Sequence, residues 1–193
     1  IIPATPEGSP WRPFDPNVFR DGDDWVIICG GRVASGDTAY TLVSKDFRNW
    51  KFLHNFYESS RKWTRAIDDC AVPDFFPLGN RHALVFSSHS GQSQYYLGSY
   101  SSQEKKFYPE DHGRFSKLRE LSLEHGDPQA SMTVLAPDGR RIVFNWISEG
   151  RRFEVQHARG WGGIIWLPRV LSLDDLGTLL IEPVEELKTL RTN

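Results

Sequence analysis

Residues 67–100 read IDDCAVPDFFPLGNRHALVFSSHSGQSQYYLGSY. Two adjacent carboxylates, Asp68 and Asp69, run into a short apolar segment from Val72 to Phe76. A tight turn at Leu78-Gly79-Asn80 follows, then a second apolar segment from Ala83 to Ser88, a Gly-containing turn, and an aromatic third from Gln94 to Tyr100. Short runs rich in β-branched and aromatic residues, punctuated by Gly and Asn, predict an antiparallel meander. Its acids stand at the mouth of the first strand, a place where sugar-cleaving carboxylates are often held.

The stretches on either side repeat this plan. Upstream, Asp15 to Arg20 leads through the acidic turn Asp21-Gly22-Asp23-Asp24 into a strand at Trp25 to Cys29 closed by Gly30-Gly31, with further strands at Ala39 to Ser44 and Lys51 to Leu53. Within the meander unit a last short strand is expected around Phe107-Tyr108-Pro109. Downstream, Met132 to Leu135, the turn Ala136-Pro137-Asp138-Gly139, Arg141 to Trp146 and Gly163 to Leu167 make a third copy. Residues 1–13, with their prolines, read as an extended lead-in and residues 111–128 as a loop. Leu179 to Pro183 and Glu185 to Leu190 read as a final strand and a short helical or extended exit.

The repeat is one of architecture rather than of letters, with a period of roughly 60 residues. It predicts an all-β chain of three units, at approximately 14–56, 68–110 and 127–184, each the size of one four-stranded propeller blade. A closed propeller has about four to eight blades. Three leave sheet edges open unless something completes them, either further blades of the same protein or self-association.

Composition narrows the partners. A net charge of −2 with scattered basic residues points away from nucleic acid. No apolar run approaches the roughly 20 residues of a membrane span, and the N-terminus lacks the features of a secretory leader. A first residue of Ile rather than Met is expected of a processed or partial polypeptide, so the compartment stays unread. Cys29 and Cys70 have neither metal nor redox spacing and read as two separate thiols. His89, His112 and His125 show no metal-ligand spacing and read as loop histidines, and no cofactor is expected. Seven Trp, twelve Phe and six Tyr suit a packed β interior and also sugar-stacking surfaces. Most are assigned to the core, while Trp63, Tyr95 and Tyr96 are candidates for stacking on a sugar near the acids.

Pro73-Asp74-Phe75-Phe76-Pro77-Leu78-Gly79, preceded by acids and followed by Tyr95-Tyr96-Leu97-Gly98 and Phe107-Tyr108-Pro109, resembles glycoside hydrolase family 32, the β-fructosidases. Ala136-Pro137-Asp138-Gly139-Arg140-Arg141-Ile142 with Asn145-Trp146 is similar to a later segment of that family. Trp161-Gly162-Gly163, Leu167-Pro168-Arg169, Gly177 and Glu182-Pro183 are similar to its closing stretch. The resemblance implies a five-bladed β-propeller, with about three blades in this chain, and retaining hydrolysis of β-fructosidic bonds in sucrose or a related oligosaccharide.

Members of that family use three carboxylates: a nucleophile in an Asn-Asp-Pro-Asn-Gly motif, a transition-state stabiliser in Arg-Asp-Pro, and an acid/base in a Glu-Cys-Pro-like motif. Carried over by residue, Asp15 in Phe14-Asp15-Pro16 takes the stabiliser position, with Phe14 in place of the arginine. The acid/base falls on Asp68 or Asp69. Counting back from Pro73 on the pattern of relatives with two extra residues before the proline favours Asp68, adjacency to Cys70 favours Asp69, and only one of two neighbours on a strand faces the funnel. The nucleophile motif is absent from the sequence. Two other readings stand beside this one: a first-blade aspartate of the family 43 type at Asp15, and a non-catalytic carbohydrate-binding or structural propeller fragment.

Overall fold

The computed structural model of the chain describes residues 14–116, 128–147 and 150–191. It is all-β in plan, with three antiparallel sheets laid down one after another along the sequence. The first contains β1 (Asn17–Asp21), β2 (Asp24–Val33), β3 (Gly36–Ser44) and β4 (Lys51–Asn55), each paired with the strand before it. The second repeats that order in β5 (Ala71–Leu78), β6 (Arg81–Ser87), β7 (Ser93–Ser101) and β8 (Lys106–Arg114).

The third sheet is less regular. It begins with β9 (Pro128–Leu135) and β10 (Arg141–Ile147). A short helix, α1 (Phe153–Arg159), and β11 (Ile164–Ile165) follow, then β12 (Arg169–Leu173), β13 (Leu179–Pro183) and a 3-10 turn at Glu185–Leu190. β11 pairs with one end of β10 and β12 with the other, so the two share one strand position, and β13 closes the outer edge on β12.

The middle sheet is buried on both faces, which is why its first strand reads as a nearly unbroken apolar run. Phe75 packs with Ile28, Phe56, Leu84, Phe86, Tyr96 and Phe107 between the first and second sheets. Its neighbour Phe76 turns the other way and packs with Leu78, Val85, Leu97, Val143 and Leu171 between the second and third. Beyond the third sheet the pattern stops: Met132, Val134 and Phe144 stand on its outer face and are more than two-fifths exposed.

Three expectations need correction, and one helix went unread. Strand β8 runs on through Asp111–Arg114, where a loop was expected; it is a polar edge strand with no apolar alternation to announce it. The strand expected over Gly163 to Leu167 shrinks to Ile164–Ile165, and the main partner of β10 at that edge is β12, which was not anticipated. Helix α1 buries no residue, so it left no apolar periodicity to read. His112 is no loop residue: it lies in β8, its Nε2–H donates to Gln94 Oε1 (2.8 Å), and burial lowers its pKa to about 4. The expected lead-in at 1–13, His125 and most of the expected 111–128 loop lie outside the described residues.

One backbone device recurs at the mouth of all three sheets. Asp74 pairs with Val85 but Ala71 with Ser87, so Val72 and Pro73 together oppose one residue of β6. Met132 pairs with Phe144 but Gln129 with Trp146, so Ala130 and Ser131 do the same against β10. Asn17 pairs with Ile28 while the Phe14 carbonyl accepts from Gly30 N–H (3.0 Å), leaving Asp15 and Pro16 opposite Cys29. The first residue of each bulge has a positive φ: 43° at Asp15, 49° at Val72 and 50° at Ala130. Such a conformation is rare for non-glycine residues, above all for a β-branched one, and β-bulges of this kind re-aim the chain next to functional sites.

Candidate active site

The bulge at Val72 decides which residue faces which at the mouth of the second sheet. It slips the β5–β6 register by one residue, and extending that slipped register past Ala71–Ser87 brings Asp69 opposite His89. The contact is two-pronged. Asp69 Oδ1 accepts from the His89 backbone N–H at 2.8 Å, and Asp69 Oδ2 lies 2.6 Å from His89 Nδ1.

Asp68 points the other way and is fully buried. Its carboxylate accepts from Arg65 N–H (2.7 Å), the Arg65 guanidinium (3.0 and 3.3 Å), Ser88 Oγ (2.9 Å) and Ser90 Oγ (2.9 Å). Burial alone would raise its pKa. The Arg65 side chain and backbone, with the two serine hydroxyls, outweigh that and hold the carboxyl at about 2. A carboxylate so fully occupied is a fixed anchor for the loop at 65–68.

Asp69 instead opens onto a cleft of 460 Å³ lined by Gly31, Arg32, Ile67, Asp69, His89 and Ser90. Cys70 N–H bonds the Gly31 carbonyl (2.9 Å), which holds the acid segment against the end of β2. That approach needs glycine: a Cβ on Gly30 would sit 1.9 Å from the Cys70 carbonyl oxygen. On the far side the Phe14 ring lies 6.1 Å from the His89 ring, so Phe14, the residue before Asp15, borders the same site. A second cleft of 290 Å³ adjoins it, lined among others by Val72, His89, Ala130 and Trp146. His89 belongs to both.

The aromatic candidates lie elsewhere. Tyr96 is fully buried between the first two sheets, with its hydroxyl on Asp37 Oδ2 (2.9 Å), so it has no face to offer a sugar. Tyr95 faces the second core and meets Phe115 edge-on. The two tyrosines do take opposite faces of β7, as strand alternation requires. Trp63 packs on the first core against Tyr96 and His112, away from both cleft linings. His89 was read from the sequence only as a loop histidine, with no part in the site. The signal available was its position, mirrored from Asp69 across the Leu78-Gly79-Asn80 turn. Among the described residues no group of three His, Cys, Asp or Glu is placed to hold a metal ion.

The model of the glycosyl hydrolases family 32 N-terminal domain matches residues 1–183. The chain belongs to glycoside hydrolase family 32. The family 43 reading of Asp15 therefore falls away. A fructan 1-exohydrolase of Hordeum vulgare is 32% identical over 215 residues, covering 94% of this chain and 34% of that protein. An insoluble β-fructofuranosidase isoenzyme of Daucus carota is 29% identical over 209 residues, covering 99% and 34%. Among solved structures, fructan 1-exohydrolase IIa of Cichorium intybus superposes with a TM-score of 0.79 at 26% identity, over 98% of this chain and 38% of that one. This family 32 chain thus spans about a third of the length of the curated relatives it matches.

Proposed function

We propose that this chain is the acid/base-bearing part of a β-fructosidase propeller, three blades of five, and that the whole protein hydrolyses β-fructosidic bonds in sucrose or a fructan with retention. The supporting observation is the division of labour between two adjacent aspartates. Asp68 is sequestered by hydrogen bonds, whereas Asp69, which precedes Cys70 as the family's glutamate precedes its cysteine, faces an open cleft. The Cichorium intybus relative has also been captured in complex with 1-kestose, a short fructan.

Asp15 takes the stabiliser role in this reading. It occupies the bulge position filled by Val72 and Ala130 in the other two sheets, and both of those residues line the second cleft. Equivalent backbone gives Asp15 an equivalent outlook toward the common mouth of the sheets. The nucleophile belongs to a further carboxylate, about 5–5.5 Å from the acid in a retaining site, contributed by sequence outside this chain.

The test is hydrolysis of sucrose and 1-kestose by the intact polypeptide. Turnover with net retention, lost by at least about 100-fold in Asp15→Ala and Asp69→Ala, supports the reading. An intact polypeptide that binds either sugar without turning it over supports the non-catalytic reading instead, which the shortening of the family's glutamate to aspartate favours.

A further inference from the structure

Resting on that reading, we propose that the proton delivered to the leaving group comes from His89 Nε2, and that Asp69 serves to orient and charge-balance this imidazole. Both carboxylate oxygens of Asp69 are already committed to His89, one to its backbone N–H and one to Nδ1. The nitrogen on the opposite edge of the ring, Nε2, has no partner among the described residues, and the side chain is 70% exposed where the two clefts meet. A carboxylate on Nδ1–H with a free Nε2 is the arrangement in which an acid holds an imidazole in one tautomer and stabilises its protonated form.

The lengths agree with this assignment. Aspartate is one methylene shorter than the glutamate of the family motif, which draws a carboxyl donor back by roughly 1.5 Å, and misplacements of about 1 Å can cost on the order of 100-fold in rate. An imidazole clamped to that carboxylate carries the exchangeable proton outward, across the ring, into the cleft. The Phe14 ring at 6.1 Å limits the ring's swing on one side. Val72 makes the pairing possible, because without its bulge Asp69 would lie opposite Ser90.

The chemistry balances simply. As the bond between the anomeric carbon and the glycosidic oxygen breaks, its electron pair goes to that oxygen, which takes the proton from Nε2 and leaves as a neutral alcohol. The anomeric carbon is captured by the carboxylate nucleophile from outside this chain. In the second half a water attacks that carbon, expels the carboxylate, and gives its proton back to Nε2.

The experiment measures kcat/KM of the intact polypeptide on sucrose and on a nitrophenyl β-fructoside, whose phenolate leaves without a proton. His89→Phe is expected to lose about 10²–10⁴-fold on sucrose, to stay within several-fold of wild type on the nitrophenyl substrate, and to regain part of the sucrose activity with added imidazole. Asp69→Asn should be impaired less than His89→Phe on sucrose, since it leaves the ring in place while loosening its orientation. The reverse pattern, with His89→Phe near wild type and Asp69→Asn losing sucrose alone, overturns the proposal and leaves the β-fructosidase reading intact. A wild-type protein that cleaves neither substrate overturns both. His89 is mostly solvent-exposed, so its replacement removes little packing, and matched melting temperatures verify that the variants are folded.

Discussion

Asn17 and Asp74 join the innermost strands of the first two sheets. Asn17 Nδ2 donates to Asp74 Oδ1 at 3.2 Å while Asn17 Oδ1 accepts from Phe75 N–H at 3.3 Å. Asp74 repeats the gesture toward the third sheet, its Oδ2 accepting from Thr133 N–H at 2.6 Å. The two residues hold the same place after their bulges, so one device is used twice. The third such place is Met132, which has no side-chain acceptor to offer, and the chain of contacts ends there.

Asp74→Asn should therefore destabilise the fold by about 1–3 kcal/mol. The two donors sit on different carboxylate oxygens, so in the amide one of them, Asn17 or Thr133, would meet the NH2 donor instead of an acceptor. Burial pushes the Asp74 carboxyl above its ordinary range, against the pull of Thr133, Arg141 and Asn17. A group that binds its proton more tightly when folded adds stability at low pH, and the addition is lost as pH rises from the unfolded value through the folded one. Urea titrations of both proteins across acid pH should show the variant's deficit largest at the acid end and shrinking as pH rises.

Asp68 predicts the opposite slope. With its carboxyl held at about 2, it supports the fold above the ordinary carboxylate range and ceases to as pH falls toward 2. The share is on the order of 2 kcal/mol. Asp68→Asn should flatten that part of the acid-denaturation curve, and an unchanged curve would mean that the Arg65 and serine contacts are not made in solution.

Both thiols should be silent in the native protein. Cys29 and Cys70 are free and fully buried, and burial raises the Cys29 thiol to about 11 and Cys70 well above its usual value. A thiol reagent at neutral pH is expected to label neither until denaturant is added, and then to label two.

The outer face of the third sheet should govern solubility of the chain on its own. Met132, Val134 and Phe144 form an uncovered apolar row on it. Met132→Ser with Phe144→Ser is expected to lower self-association at tens of micromolar, as read by sedimentation, with a change in stability no larger than about 0.5 kcal/mol each. On the propeller reading proposed above, the same pair should be destabilising in the intact protein, where a further blade would cover it.

The strands of the first two sheets were legible because turn residues and apolar runs mark them clearly. Alternation put Tyr95 and Tyr96 on opposite faces of β7, but it did not tell that both faces are core, so their reading as sugar-stacking groups was not met. The choice between Asp68 and Asp69 was not legible, because it turns on a bulge of one residue at Val72, and nothing in a valine announces a positive φ. His89 was hidden for the same reason: its partner depends on a register that the bulge sets. In the third sheet, β12 escaped notice because Arg169 and Ser172 interrupt its apolar pattern; the Arg169 guanidinium lies 4.3 Å from the Trp166 ring and so belongs to the packing despite its charge.

Because each sheet is made from one unbroken stretch of sequence, with most strands pairing to their immediate predecessor, the order of assembly can follow the order of synthesis. The first sheet has all its strands before the second has begun to leave the ribosome. Asn17 is then a latch set in advance, its acceptor open until Phe75 arrives, and Asp74 is the next latch, waiting for Thr133. A nascent chain of this kind gains its inter-sheet bonds in one direction only, from the N-terminal side onward.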